Sequence, residues 1–196
     1  MSYLNREDRR EIILQAAMRV ALDEGLSAMT VRRIASVAGV AAGQVHHHFA
    51  STSELRSLAF IRLIRVLLDT DVVPANASWR QRLHSMLGSD DSGFERYIKL
   101  WQEAQLMAMR DPEIKGAYVL TMEMWHEEAV KIIHAGLQDG EFMLTDSVEN
   151  VAWRLIALVC GLDGMHVLEL DGMDEAAFDR HIDRAIELEL FGKTAP

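Results

Sequence analysis

The sequence is poor in several features that define other classes of protein. It has one cysteine and three prolines, so no internal disulfide can form and helices with few breaks are favoured. The longest uncharged apolar run, residues 155–162, is far short of the roughly 20 residues that a membrane helix needs. Residues 1–10 are charged and lack the apolar segment of a signal peptide. We therefore expect a cytoplasmic protein without a membrane span.

Positive charge is also scarce, since the formal net charge is −10. The net charge is unevenly distributed along the chain. Residues 1–66 hold nine Lys and Arg against six Asp and Glu, which gives +3, and the other 130 hold eleven against twenty-four, which gives −13. A mildly basic head on an acidic body suits DNA binding at one end only.

No segment alternates apolar and polar residues long enough to predict a strand, so the fold class is all-α. Asn5 and Thr30 can cap helices, and Ser51 with Glu54 predicts a capping box. We predict about nine helices, over residues 6–24, 31–38, from 42 onward, 51–68, 79–87, 94–110, 112–138, 146–170 and 174–190.

Residues 30–55 predict a short helix, a glycine turn at Gly39, a second short helix and the start of a long one. Two short helices joined by such a turn are typical of a helix-turn-helix, whose second helix lies in the DNA major groove. By itself the pattern also fits an ordinary pair of packed helices.

The whole run resembles the DNA-binding domain of TetR-type transcriptional repressors. Ile13-Leu14-Gln15-Ala16-Ala17 with Gly25 matches the first helix of that family, and Thr30 to Val40 matches Thr-Val-x-x-Ile-Ala-x-x-Ala-Gly-Val without a gap. Val45-His46-His47-His48-Phe49 stands where the recognition helix ends. The resemblance implies a three-helix helix-turn-helix head at residues 1–50, a connecting helix at 51–70, and a helical ligand-binding and dimerisation body at 71–196.

Three positions depart from the family pattern. Ala41 replaces the usual Ser at the recognition-helix cap, His46 replaces the phosphate-contacting Tyr, and Thr52 replaces the Lys that begins the fourth helix. Each change removes or weakens a contact to the DNA backbone. The alternative function is therefore a helical protein-interaction module that has lost specific DNA binding.

The candidate DNA contacts come from both short helices and from the start of the long one. Gln44 is the side chain of the second helix able to bond adenine bidentately. Of Arg32 and Arg33, one is expected to contact phosphate and the other to pair with an acid. The full set is Thr30, Arg32, Arg33, Ala42, Gly43, Gln44, His46, His47, Ser51 and Thr52.

The three consecutive histidines also invite a metal site. Adjacent residues on a helix point about 100° apart, so the three rings cannot converge on one ion. We expect His46 and His47 to contact DNA. For His48 and Phe49, the alternative to DNA contact is packing that holds the recognition helix in place. His84, His126, His134 and His166 lie on three predicted helices and are expected to be structural or exposed.

No motif predicts an enzyme. His126-Glu127 begins like the zinc-protease motif His-Glu-x-x-His, but position 130 is Val, so the second ligand is missing. No Gly-x-Ser-x-Gly elbow and no phosphate loop is present. We expect no catalytic activity, no cofactor and no metal.

The body resembles the branch of the family typified by the choline-responsive repressor of the betaine pathway. The resembling residues are Leu100-Trp101-x-x-Ala104, Arg110-Asp111-Pro112-Glu113, Gly136, Gly140-Glu141-Phe142 and Leu158-x-x-Gly161-Leu162. Family members dimerise through their last two helices, which implies a homodimer. The apolar stripes of those helices predict interface residues Leu155, Val159, Leu162, His166, Phe178, Ile182 and Ile186; the alternative is that these residues pack internally.

Aromatic and methionine side chains of the central helices predict an adaptable pocket for a small inducer, although a soft hydrophobic core is the plainer explanation. Nearby Glu103, Glu123 and Glu127 would suit a cationic ligand, so the inducer is expected to be hydrophobic or cationic. The candidate contacts are Trp101, Gln105, Tyr118, Met122, Trp125 and His126.

These observations predict a dimeric, ligand-responsive repressor of a pseudo-palindromic operator. If Gln44 reads a base, Gln44→Ala weakens binding to the specific duplex more than binding to non-specific DNA. Anisotropy titrations with both duplexes measure the two affinities, and an equal loss on both would show that Gln44 is not a base reader.

Overall fold

A computed structural model describes residues 5–70, 73–88, 95–166, 168 and 170–192. These residues form nine α-helices and no strand, which confirms the all-α prediction. The helices are α1 (Arg6–Glu24), α2 (Val31–Ala38), α3 (Ala42–His48), α4 (Thr52–Leu68), α5 (Trp79–Leu87), α6 (Glu95–Ala108), α7 (Pro112–Gln138), α8 (Val148–His166) and α9 (Glu175–Leu190). Within the described ranges, no helix is long and apolar enough to span a bilayer.

Side-chain caps explain why the early helices begin where the sequence predicts. Asn5 Oδ1 accepts a hydrogen bond from Asp8 N at 2.8 Å, and Thr30 Oγ1 accepts one from Arg33 N at 3.2 Å. Ser51 Oγ accepts from Glu54 N at 2.8 Å. The reciprocal half of that predicted capping box is wrong, because the Glu54 carboxylate accepts from Ala50 N at 2.6 Å, one residue earlier.

Two predicted helices are shorter in the structure. α6 ends at Ala108, and α8 runs over Val148–His166 where residues 146–170 were predicted; residues 167 and 169 of that prediction lie outside the described residues. The start of α8 moves because Asp146 and Ser147 form the turn that precedes it. Asp146 Oδ1 accepts from Ser147 N at 2.7 Å, and Ser147 Oγ accepts from Asn150 N at 3.3 Å.

The chain divides into two compact units, and their boundaries differ from the domain boundaries predicted from the sequence. The first comprises Met1–Asp69 and Gly93–Met122, and the second comprises Thr70–Ser92 and Glu123–Pro196. The first unit therefore includes α6 and the start of α7 as well as the helix-turn-helix. Its core contains Ile13, Leu26, Ile34, Val45, Phe49, Phe60, Leu100, Ala104 and Ile114.

Carboxylates explain why α6 belongs with the helix-turn-helix. Glu103 accepts hydrogen bonds from Leu26 N at 2.6 Å and Ser27 N at 2.7 Å, and also from the Ser27 hydroxyl. Asp111, at the start of α7, accepts from Ser53 Oγ at 2.5 Å. One helical hairpin thus contacts the chain both before α2 and after α3.

Apolar stripes of α8 and α9 form the core of the second unit. Five of the seven residues named as dimer contacts are 5% exposed or less within the single chain, so their side chains have almost no surface left to contact a partner. The structure therefore corrects the interface assignment of Leu155, Val159, Leu162, Ile182 and Ile186. Phe178 is half-buried beside Gly88. The side chain of His166 lies outside the described residues.

Gly25, at the end of α1, is a strong test of the contact with Glu103. Its φ of 90° and ψ of 167° lie in a region that only glycine occupies easily, and an added Cβ would stand 2.8 Å from Glu103 Oε2. We expect Gly25→Ala to lower the free energy of unfolding by about 1–3 kcal/mol. Urea denaturation followed by far-ultraviolet circular dichroism measures it.

Gly116→Ala is the matched control, because Gly116 lies within α7 with nothing within 4 Å of an added Cβ. It should raise stability by about 0.5–1 kcal/mol, as expected for alanine inside a helix. Equal effects of the two substitutions would contradict the account of Gly25.

Candidate nucleic-acid interface

Two buried side chains fix the orientation of α3. Val45 and Phe49 are each 2% exposed and pack into the core of the first unit. The packing interpretation of Phe49 is therefore confirmed. The opposite face of the helix is exposed and consists of short side chains followed by two imidazoles, at Ala42, Gly43, His46 and His47. This set is called the outward face of α3 below.

The two arginines of α2 have different surroundings. Arg33 pairs with Glu24: its Nε lies 2.9 and 3.0 Å from the two carboxylate oxygens, and its Nη2 lies 2.6 Å from one of them. The hydrogen bonds with Arg33 hold the pKa of Glu24 below its usual value. Arg32 is exposed. Arg33 is therefore the arginine paired with an acid, and Arg32 is the better phosphate candidate.

The start of α1 adds positive charge beside α3. Arg9 Nη1 donates to Gln44 Oε1 at 3.2 Å, and the guanidinium of Arg10 lies 4.6 Å from the centre of the Phe49 ring. Arg6 is close enough to act electrostatically on His48. These three arginines were not among the DNA candidates predicted from the sequence. Their spacing of three and four residues, which places them on one side of a helix in the basic part of the chain, was the available signal.

His48 faces α1 and not the outward face. Its ring is half-buried and lies edge-on to His47, with ring centres 5.2 Å apart. Its Nδ1 is buried without a hydrogen-bond partner in the part of the chain that the structure describes. Burial lowers the pKa of His48, and the charges of His47 and the α1 arginines lower it further. A neutral ring at this position avoids repulsion with those arginines.

The start of α4 is less suited to phosphate than the sequence suggests. The Ser51 hydroxyl accepts from Glu54 N and donates to Glu113 Oε2 at 3.2 Å, so its proton is already used. Hydrogen bonds from Ser53 and from backbone N–H groups hold the pKa of Asp111 below its usual value. The negative charges near Ser51 oppose a phosphate there. Thr52 is half-buried as the first residue of α4.

The predicted inducer contacts are divided between the two units. In the first, Trp101 and Tyr118 meet edge-on with ring centres 6.5 Å apart, while Gln105 is exposed and Met122 half-buried. In the second, Trp125 is buried, and His126 stacks on Trp153 at 4.2 Å. The first unit also has an open groove of about 630 Å³, lined by residues of α1, α4 and α6 such as Leu22, Leu63 and Tyr97.

Models of known protein families match two parts of the chain. Residues 13–57 match the model of the tetR family of bacterial regulatory proteins, and residues 79–190 match the C-terminal model of BetI-type transcriptional repressors. The second match alone covers more than half of the chain.

The chain belongs to the TetR family of transcriptional regulators.

Relatives of this TetR-family regulator include named repressors. The repressor KstR2 of Mycobacterium tuberculosis strain H37Rv is 30% identical over 146 residues, which cover 68% of this chain and 69% of KstR2. The regulator BetI of Rhizobium meliloti strain 1021 is 29% identical over 159 residues, covering 79% and 75% of the two chains.

Solved structures share the fold at lower identity. A putative transcriptional regulator from Saccharomonospora viridis, in complex with choline, has a TM-score of 0.74 and 22% identity, covering 94% of this chain and 98% of that one. FadR of Bacillus subtilis, in complex with stearoyl-CoA, has a TM-score of 0.67 and 18% identity, covering 89% and 95%.

The α2 arginines give a direct test of phosphate contact. Arg32→Ala should weaken binding to specific and non-specific duplexes alike, and should reduce the slope of log K against log salt by about 0.9, the value for one phosphate. Anisotropy titrations across a salt series measure both quantities. The control is the double variant Glu24→Ala/Arg33→Ala, which removes an existing ion pair without changing net charge and should leave the slope unchanged. An unchanged slope for Arg32→Ala would contradict the assignment.

The surroundings of His48 predict a pH dependence of stability. Since the pKa of His48 is lowered from 6.5 in the folded chain, the unfolded state binds more protons in acid. This contribution to stability is intact above pH 6.5 and is lost as pH falls below it towards the folded pKa. His48→Gln should therefore lose less stability than the wild type between pH 7.5 and 5.5 in thermal unfolding. The exposed His46→Gln serves as control and should behave as the wild type; identical pH profiles for all three would contradict the prediction.

Proposed function

We propose that this TetR-family regulator binds a pseudo-palindromic operator as a homodimer and releases it when a small molecule binds to the body. The proposal rests on the exposure of the outward face of α3. Buried Val45 and Phe49 hold the helix from behind, and the arginines at the start of α1 stand at its side. A narrow helix surface bordered by cations fits the major groove of a duplex.

The roles within this interface follow from side-chain chemistry. Arg32, Arg6 and Arg10 neutralise phosphates and position the head, but they carry little sequence information. Gln44, His46 and His47 supply the polar groups that reach base edges. Ala42 and Gly43 allow the backbone of α3 to approach the bases closely. In a dimer, two such helices enter major grooves whose centres are about 34–36 Å apart, or a multiple of that distance.

Dimerisation through α8 and α9 uses the sides of these helices opposite the buried stripes. Trp153, Met165 and Leu188 are 41%, 45% and 48% exposed, and Cys160 and Gly161 are exposed on the same helix as Trp153. Large apolar side chains beside a glycine allow close packing of a second helix. This outward surface replaces the buried stripe as the proposed homodimer interface, and burying it in a dimer would remove apolar area from water.

The inducer is proposed to be hydrophobic or cationic. Structural neighbours were solved with ligands of both kinds: choline for the regulator of Saccharomonospora viridis, proflavin for the multidrug-binding protein EbrR, and stearoyl-CoA for FadR. The candidate contacts predicted from the sequence are Trp101, Gln105, Tyr118 and Met122 within the first unit, and Trp125 and His126 within the second. The ligand must bind the DNA-releasing state more tightly, and a coupling of about 1–3 kcal/mol is the usual size.

Fluorescence anisotropy tests DNA binding with a duplex from the regulator's own upstream region, across a salt series. We expect tight binding that falls steeply with salt and that saturates at one dimer per pair of half-sites. Binding no tighter than to a scrambled duplex would contradict operator binding and would favour the protein-interaction module, in line with the changes at Ala41, His46 and Thr52. Release by choline, proflavin and stearoyl-CoA is then measured on the same complex.

The dimer surface has its own test. Leu188→Arg places a charge on the exposed side of α9 and should shift the chain from dimer to monomer in sedimentation velocity. Leu106→Arg is the control, because Leu106 is 70% exposed on α6 and lies outside the proposed surface. A dimer that both variants retain would contradict the placement of the interface on α9.

A further inference from the structure

We propose that Arg9 decides which bases Gln44 reads, by holding the oxygen of the Gln44 amide. This inference rests on the proposed binding of DNA by the outward face of α3, and it adds a specificity-determining contact that lies outside the helix-turn-helix. Arg9 belongs to α1 and Gln44 is the third residue of α3, and the two are 35 positions apart in the chain.

The geometry places the pair at the edge of the outward face. Arg9 Nη1 donates to Gln44 Oε1 at 3.2 Å, in a partly buried position. Gln44 and His48 are four residues apart and form the side of α3 that faces α1. Ala42 and Gly43, which precede Gln44, have no polar side chain. Gln44 therefore carries the long polar side chain of the first turn of α3, and the orientation of this side chain determines which groups that turn presents to a base.

The neighbouring acids leave Arg9 available for this bond. Glu11 accepts from Arg62 Nη1 at 2.5 and 2.6 Å, and also from Gln15. Asp8 is engaged with the backbone of Asn5 at the cap of α1. A hydrogen bond from a guanidinium is charge-assisted and stronger than a bond between neutral groups. The amide oxygen of Gln44 is thus directed towards Arg9.

The consequence is a change in the hydrogen-bonding pattern presented to DNA. A free glutamine reads adenine bidentately, with its oxygen accepting from N6 and its amide nitrogen donating to N7. With the oxygen directed at Arg9, the groups of Gln44 left for a base are N–H donors. Guanine presents two acceptors, O6 and N7, in the major groove, so the pair is suited to guanine and not to adenine.

The test is a base-substitution profile of the operator. Duplexes that carry each of the four base pairs at every position of one half-site compete with a labelled operator for the wild type, Arg9→Ala, Gln44→Ala and Arg19→Ala. Arg19 is an exposed arginine of the same helix that lines the groove of the first unit, so Arg19→Ala is matched in charge and residue type.

The wild type is expected to prefer guanine at one position, and Gln44→Ala should abolish that preference. Arg9→Ala should shift the preference at the same position towards adenine by about tenfold, which is within the range that one bidentate contact discriminates. Arg19→Ala should leave the profile unchanged. The double variant Arg9→Ala/Gln44→Ala should show the same profile at that position as Gln44→Ala alone, because Arg9 acts through Gln44.

Two results would overturn the inference while leaving operator binding intact. One is an Arg9→Ala variant that binds every duplex more weakly with an unchanged profile, which would make Arg9 a phosphate contact. The other is an Arg9→Ala/Gln44→Ala variant whose losses of discrimination add, which would mean that the two side chains act separately. A wild type that distinguishes no base at any position would contradict this inference and the proposed function together.

Discussion

The carboxylate of Glu103 makes the contact on which the head of the molecule depends. It accepts hydrogen bonds from two consecutive backbone N–H groups, those of Leu26 and Ser27, in the link between α1 and α2. Leu26 is fully buried, and a buried N–H without a partner costs about 1–3 kcal/mol. Gly25 is required beside it by its positive φ and by the close approach of the carboxylate. The same link is held from α4, where Arg56 Nε donates to Leu26 O at 2.9 Å.

This constraint determines how the recognition surface is presented. α2 begins directly after the clamped link, with Thr30 as its cap, and Gly39 turns the chain into α3. Because Val45 and Phe49 are buried, α3 cannot rotate, and its outward face stays exposed. The first helix is part of the same surface, since its arginines reach α3. We therefore propose that DNA recognition depends on α1, α2 and α3 and not on the recognition helix alone.

Local signals in the sequence predicted the helices well. The bounds of α1, α2, α5 and α7 follow from caps, glycines and Pro112, whose effects act over a few residues. Interactions between distant parts of the chain were not predictable in the same way. Glu103 was interpreted as a ligand contact, although it binds a link 76 residues away in sequence. Arg9 and Gln44 are likewise joined only by the fold.

The dimer assignment shows a different limit. The period of apolar residues in α8 and α9 correctly identified a stripe that is buried, but periodicity cannot tell whether the same chain or a partner covers it. In the structure the stripe packs within its own unit, with Leu155 and Ile186 1% and 0% exposed. The exposed side of α8 and α9, which is left for a partner, carries fewer apolar residues than the buried stripe. It can be identified only once the internal packing is known.

The most direct test of the central claim is amide hydrogen exchange of the full chain with and without its upstream duplex. We propose that α3 and the start of α1 form one DNA surface, held in place through the link that Glu103 binds. We expect slower exchange on DNA binding in peptides covering residues 6–10 and 42–48, and in the link at residues 25–30. Protection of α3 without any change at the start of α1 or in the link would contradict a joint surface. No protection in either helix would contradict DNA binding by this face of the molecule.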